Sequence, residues 1–308
     1  MNPKIRTYVA ISFSMIFWAF SFIWFKEANK ALFPITIVFI RLVISVIIMT
    51  AFIFLTKRFR SINKEDRKLF LMLAFFEPFF YFIGESFGLT YVSATVGSVL
   101  ISTIPVFATL GAWVIFRERL RAINYIGIII SFIGVVVFIS NRNGTLSFNV
   151  KGLMLMLLAV FSAVGYNLTL SKLVGKYSPF YIVLIQNAIG AILFLPLFLI
   201  LDYRSFITTR LTFSILLPVF ELAIFASCGA FILFAYSVSR MGVTKANVFT
   251  NTIPIFTALF AFFILGEKLS IQNMLGMAIV ITGIFLSQLN GKKEKPVKEA
   301  LVLTGKTA

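Results

Sequence analysis

Ten stretches of this chain are apolar for long enough to cross a lipid bilayer, and no other feature restricts its folding so severely. They fall at roughly 7–25, 35–56, 69–90, 92–116, 122–140, 150–171, 180–201, 212–239, 243–265 and 270–289. About 30 Å of hydrocarbon asks for about 20 helical residues. Lipid offers backbone groups no hydrogen-bond partner, so they must satisfy one another, and only helices and closed barrels span it. None of the ten runs alternates apolar and polar residues as a barrel strand does. The expectation is an all-α membrane protein of ten transmembrane helices. The first run follows Lys4 and Arg6 as a secretory signal would, but it spans about 19 residues, has no small-x-small cleavage pattern and ends at Lys26, so it is kept as a helix. Residues 291–308 form a polar, disordered tail.

The net charge of +17 is explained by its placement. With ten spans, the termini and even-numbered loops share one side. That side carries 20 Lys and Arg, against 7 in the odd-numbered loops, with Arg41 inside a span. The positive-inside rule then puts both termini in the cytoplasm of a multi-pass protein of the cell (inner) membrane. No interleaved aromatic and basic module suggests a nucleic-acid partner. Histidine is absent and Cys228 is the single cysteine, which leaves no metal cluster, no disulfide framework and no ordinary general base. No GxxxxGK[ST] loop couples ATP, and no GxSxG elbow offers a nucleophile. Neither an enzyme nor a cofactor is expected.

Residues 95–134 align without a gap on 244–283, with identity at 15 of 40 positions, including Thr103/Thr252, Pro105/Pro254, Glu118/Glu267, Asn124/Asn273, Gly127/Gly276 and Gly134/Gly283. Shared apolar bias does not account for the matched charges, prolines and glycines, so the chain reads as a duplication: residues 1–142 and 143–290. Five spans per half is an odd number, which inverts the second half relative to the first. Inverted repeats suit a carrier whose halves exchange conformations around a midplane site.

Both related runs carry a proline inside a polar stripe. Thr95, Ser98, Ser102, Pro105 and Thr109 recur at helical spacing, as do Thr244, Asn247, Asn251 and Pro254. A helix proline frees a carbonyl that neighbouring polar groups or water re-satisfy. These stripes therefore line a wet cavity with Pro105 and Pro254 as hinges, or else serve as interhelical glue.

Ionisable groups inside the spans are Arg41, Glu77, Glu85 and Glu221, each a candidate gate or coupling residue. Glu77, Tyr81 and Glu85 share a face of the third helix. Counting about 1.5 Å per residue, Arg41 and Glu85 both sit about 10 Å below the outer surface, where they form a structural ion pair or a gate. Glu77, about 13 Å from the inner end, has no evident partner in the neighbouring helices and is read as a proton carrier, a counter-ion for an ammonium group, or a neutral buried acid. Glu118 and Glu267 lie in turns before the next helix, where a carboxylate caps amides. Gly127, Ser131, Gly134, Gly276 and Gly283 read as close-packing faces, seams of the bundle or of a homodimer.

The segments WAFSFIWFK (18–26), FIRLVIS, and the paired IPVFATLGAWVIFRERL and IPIFTALFAFFILGEKL resemble the drug/metabolite transporter superfamily, EamA family, across residues 7–289. The resemblance implies an alternating-access carrier, often an exporter of amino acids or related metabolites, with a cavity lined by helices 1, 3, 4, 6, 8 and 9. Carried onto this chain, its substrate-binding residues are Trp18, Ser21, Glu77, Tyr81, Ser98, Ser102, Tyr166, Asn167, Tyr236, Asn247 and Asn251. Ala19 departs from the glycine that often follows the tryptophan, and two glutamates in the third helix are atypical. Acidic residues favour a zwitterionic or cationic solute, with proton coupling as an option. A multidrug, sugar or nucleotide-sugar carrier of the same fold stays open, as does a channel or non-transporting scaffold.

Overall fold

The computed structural model describes residues 2–56, 61–108, 110, 122–139 and 149–288. Seven helices are long and apolar enough to cross a membrane: α1 (Pro3–Ala28), α2 (Pro34–Leu55), α3 (Lys64–Tyr91), α6 (Val150–Leu173), α7 (Pro179–Thr208), α8 (Phe213–Met241) and α9 (Val243–Leu265). Three shorter apolar helices accompany them: α4 (Ala94–Ala108), α5 (Ala122–Phe138) and α10 (Ile271–Ser287). Thr109, Glu118, the 140–148 connection and the tail lie outside the described residues.

Helix boundaries follow local chemistry. The side chains of Asn2, Ser93, Asn149 and Ser178 each accept a hydrogen bond from a first-turn amide, opening α1, α4, α6 and α7, and Pro3 and Pro179 occupy first positions that need no donor. Gly242, at φ 84°, turns the chain between α8 and α9 with a backbone that side chains resist.

Five helices are interrupted, α7 by a π-helical stretch over Phe198–Asp202. In α3, Glu77 leaves the helical region (φ −149°, ψ 118°) directly before Pro78, whose ring pushes the preceding residue towards extended geometry. In α4 the helix gives way to a turn at Ser102–Thr103, two residues before Pro105, and in α9 it tightens to a 3-10 turn over Phe249–Thr252 before Pro254. These two breaks fall at repeat-related positions. In α8, residues Leu222–Ala230 widen into a π-helix.

Glycine governs the closest packing. α5 and α10 run antiparallel with reciprocal contacts. Asn124 Nδ2 donates to the Ser287 carbonyl at 2.9 Å, while Asn273 Nδ2 donates to the Phe138 carbonyl at 2.7 Å. A Cβ on Gly127 would meet Ser287 N at 2.2 Å and one on Gly276 would meet Phe138 N at 2.5 Å; Gly134 and Gly283 repeat the pattern against Val280 and Ser131. The glycine faces read from the sequence are thus occupied within the chain. Gly84 and Gly88 bring α3 onto α6 in the same way, and α2 lies along α7.

Three carboxylates near helix ends tie the two halves together. Glu267 accepts from the amides of Ala94 (2.8 Å) and Thr95 (3.3 Å) and from the Thr95 hydroxyl (2.7 Å). It caps α4 in the other half of the chain, whereas the sequence placed it ahead of its own following helix. Asp202 accepts from Thr36 N and Oγ1 at the start of α2. Asp66 accepts from Lys176 Nζ (2.8 Å) and the Tyr177 hydroxyl (2.9 Å).

Candidate functional site

Four of the interrupted helices, α3, α4, α8 and α9, meet with α1, α2 and α6 around a small cavity of about 50 Å³. Its wall is contributed by Trp18, Ser21 and Phe22 of α1, Arg41 of α2, Glu77, Tyr81, Phe82 and Glu85 of α3, and Ile101 and Ile104 of α4. Across from them stand Ala163, Tyr166 and Asn167 of α6, Phe231 and Phe234 of α8, and Asn247, Thr250 and Ile253 of α9. Trp18 packs on Phe231 and Phe234 with centroids 5.2 and 5.0 Å apart, making one aromatic side of the chamber.

Three ionisable side chains line this space, the guanidinium of Arg41 and the carboxyl groups of Glu77 and Glu85, all buried. Arg41 donates from Nε to Ser227 Oγ at 2.8 Å, and its guanidinium carbon lies 4.3 Å from the centre of the Phe82 ring. The ion pair expected with Glu85 is not formed: no carboxylate oxygen among the described residues lies within 4.0 Å of Arg41. Glu85 instead accepts from the Tyr81 hydroxyl at 2.9 Å. Glu85 is still the strongest electrostatic partner of Arg41, ahead of Glu77. Behind Arg41, Asn187 Nδ2 bridges Ser45 Oγ (2.7 Å) and the Ser227 carbonyl (2.9 Å), and Cys228 Sγ lies 3.1 Å from Ser45 Oγ. This network anchors the guanidinium of α2 to α7 and α8.

Glu77 is 6% exposed and accepts no hydrogen bond among the described residues. Buried polar atoms on α6 and α7 are also unsatisfied: the Tyr166 hydroxyl, Asn167 Oδ1, and both amide atoms of Gln186. Tyr166 and Gln186 neighbour one another without closing a hydrogen bond of good geometry. Asn167 Nδ2 reaches Asn247 Oδ1 at 3.3 Å, joining α6 to α9.

Of the residues expected to bind substrate, Trp18, Ser21, Glu77, Tyr81, Tyr166, Asn167 and Asn247 line the cavity, and Ser98, Ser102, Tyr236 and Asn251 do not. The helix breaks explain the stripe residues. With 3.6 residues per turn, Asn251 follows Asn247 on one face; with the 3.0 of a 3-10 turn the face runs Asn247, Thr250, Ile253. The break in α4 likewise presents Ile101 and Ile104, the repeat equivalents of Thr250 and Ile253. Ser98 and Ser102 return their hydroxyls to the carbonyls of Thr95 and Val99 in their own helix. Tyr236 lies next to Arg240, whose guanidinium is 5.6 Å from its ring. Glu221 is partly exposed on α8, away from the cavity. The lining phenylalanines and the contribution of α2 carry no signal in a chain with 38 Phe; only the isolated charge of Arg41 marked that helix.

A model of the EamA-like transporter family matches twice, over residues 5–140 and 150–289. An uncharacterized transporter of Archaeoglobus fulgidus is 28% identical over 93% of this chain and 98% of its own length. The uncharacterized transporter YcxC of Bacillus subtilis is 26% identical over 92% of this chain and 93% of its own. A solved structure, described only as the crystal structure of a protein, superposes with a TM-score of 0.69 at 15% identity over 93% of this chain and 99% of that one, a likeness of fold.

Proposed function

The chain belongs to the EamA-like transporter family, and on that premise we propose that it is an alternating-access carrier of a small zwitterionic solute, an amino acid or a compound of like charge. The observation that carries this reading is the separation of charge in the cavity: Arg41 and the carboxylates of Glu85 and Glu77 share one buried space without pairing. Unpaired charges in low dielectric are costly, and a ligand carrying both signs relieves both at once. The guanidinium fork suits a solute carboxylate, and Glu85 suits its ammonium group. The wall of Trp18, Phe231 and Phe234 suits an apolar side chain.

Alternating access draws support from the inverted repeat. Reciprocal contacts such as Asn124 to Ser287 and Asn273 to Phe138, between antiparallel helices, are what a two-fold axis lying in the membrane plane produces. The charge bias of the loops favours cytoplasmic termini and a cell-membrane location. Export as the direction rests on the family resemblance.

The test is counterflow in liposomes containing the purified protein, with labelled neutral amino acids against their amine-only and carboxylate-only analogues. Saturable exchange of the zwitterion is expected, with either analogue competing at least about ten-fold more weakly, as the loss of one charge-assisted bond implies. Arg41→Lys is expected to raise the half-saturating concentration, since an ammonium cannot supply the fork. Amines exchanging as well as zwitterions would overturn the reading.

A further inference from the structure

We propose that the pocket around Glu77 is a sodium site, distinct from the position at Arg41 and Glu85 that the zwitterion would occupy. The ionisable groups lining the cavity are one guanidinium and two carboxyls, so with all three ionised one negative charge is left over. A zwitterion is neutral and leaves that excess untouched. A monovalent cation removes it, whereas a divalent one would overshoot.

The excess falls on Glu77. Arg41 interacts most strongly with Glu85, and Glu85 also accepts from Tyr81, but Glu77 is buried with neither a hydrogen bond nor an ion pair among the described residues. Tyr166 and Asn167 line the cavity together with Glu77, and Gln186 stands beside Tyr166. The Tyr166 hydroxyl, Asn167 Oδ1 and Gln186 Oε1 are all at least nine-tenths buried and unsatisfied, on the two helices that flank the break in α3. Buried polar atoms of this kind are rare and call for a partner. Carboxylate, hydroxyl and amide oxygens beside an interrupted membrane helix are the ligand chemistry of a hard alkali cation. Sodium is the smaller of the two common alkali cations, and its exchange against potassium tests that choice. In transport, sodium bound here neutralises the empty half of the cavity while Arg41 and Glu85 take the solute, which couples the two.

The experiment needs no knowledge of the solute. Thermal unfolding of the full-length protein in detergent is followed at constant ionic strength and pH 7.5 while NaCl replaces KCl or N-methylglucamine chloride. A saturable rise in midpoint specific to sodium is expected. Tyr166→Phe and Gln186→Leu should each raise the half-saturating sodium concentration about ten-fold, the effect of losing one oxygen ligand to a charge. Glu65→Gln, exposed at the start of α3 and remote from the pocket, should leave it unchanged. Equal midpoints in sodium, potassium and N-methylglucamine would overturn the proposal. So would stabilisation of the same size on acidification without sodium that is lost in Glu77→Gln, because a proton would then fill the role. Sodium-specific stabilisation in a protein that exchanges no zwitterion would retain this site and retire the solute reading.

Discussion

Replacing Glu267 with alanine tests the most consequential loop contact in the fold. The carboxylate accepts two backbone amides and one hydroxyl at the start of α4, 172 and 173 residues away. A lost N-cap costs about 1 kcal/mol, and a hydrogen bond to a charged acceptor about 1.5–3 kcal/mol when shielded from water. Glu267 is partly exposed, so water recovers some of each bond, and we expect about 2 kcal/mol for Glu267→Ala. Glu267→Gln keeps an acceptor oxygen and loses the charge–dipole component of about 0.3–1 kcal/mol, so it should cost about half as much. At roughly 2–4 °C per kcal/mol for a chain of this size, the alanine variant should melt about 4–8 °C lower in detergent. The discriminating assay is amide hydrogen exchange. Protection should fall at residues 94–96, with α10 unaffected. Loss of protection at residues 271–274, with the start of α4 intact, would show that Glu267 serves the helix that follows it and would refute the assignment.

Other contacts give further expectations. Gly127→Leu and Gly283→Leu would drive side chains into backbone atoms 2.2 and 2.3 Å from the position of the added Cβ, and each should cost about 1–3 kcal/mol or more, read as lost folded yield and a lower melting temperature. Asp202→Asn leaves Thr36 with a neutral acceptor in a buried setting and should lower stability by about 1 kcal/mol, seen as faster exchange in the first turn of α2. Lys176, held above the ordinary ammonium value of 10.5 by its bond to Asp66, contributes stability that is present below that value and lost as pH rises through its raised folded one. Being half exposed, it should contribute under about 1 kcal/mol, so Lys176→Met should melt within a few degrees of the parent across pH 6–9 and converge with it in strong alkali.

How much was legible in the sequence differs from one residue to the next. Arg41, Glu77 and Glu85 stood out because charge inside an apolar run is costly wherever the run ends up, and all three face the cavity. Ser98 and Asn251 were chosen by helical spacing, and spacing fails where the helix itself changes pitch. Pro105 and Pro254 announced that a disturbance exists; whether it is a kink, a turn or a 3-10 segment depends on what packs around it. Gln186 and Asn187 drew no attention, being single amides in a long apolar run. They acquired meaning when α7 brought one against Tyr166 and the other against Ser45 and Ser227.

The sequence by itself determined that this chain is helical and built for a bilayer, because apolar length and the backbone's need for internal hydrogen bonds leave few other solutions. It also pointed to a duplication, through identity at matched charges, prolines and glycines, and the family model matches the chain twice. Which groups pair was decided by tertiary structure alone. The Arg41 guanidinium went to Ser227 rather than Glu85, and the Glu267 carboxylate went to α4 rather than α10. Pairing depends on distances of a few tenths of an ångström between helices hundreds of residues apart in the chain, and depth counted along a single helix carries no information about rotation or approach.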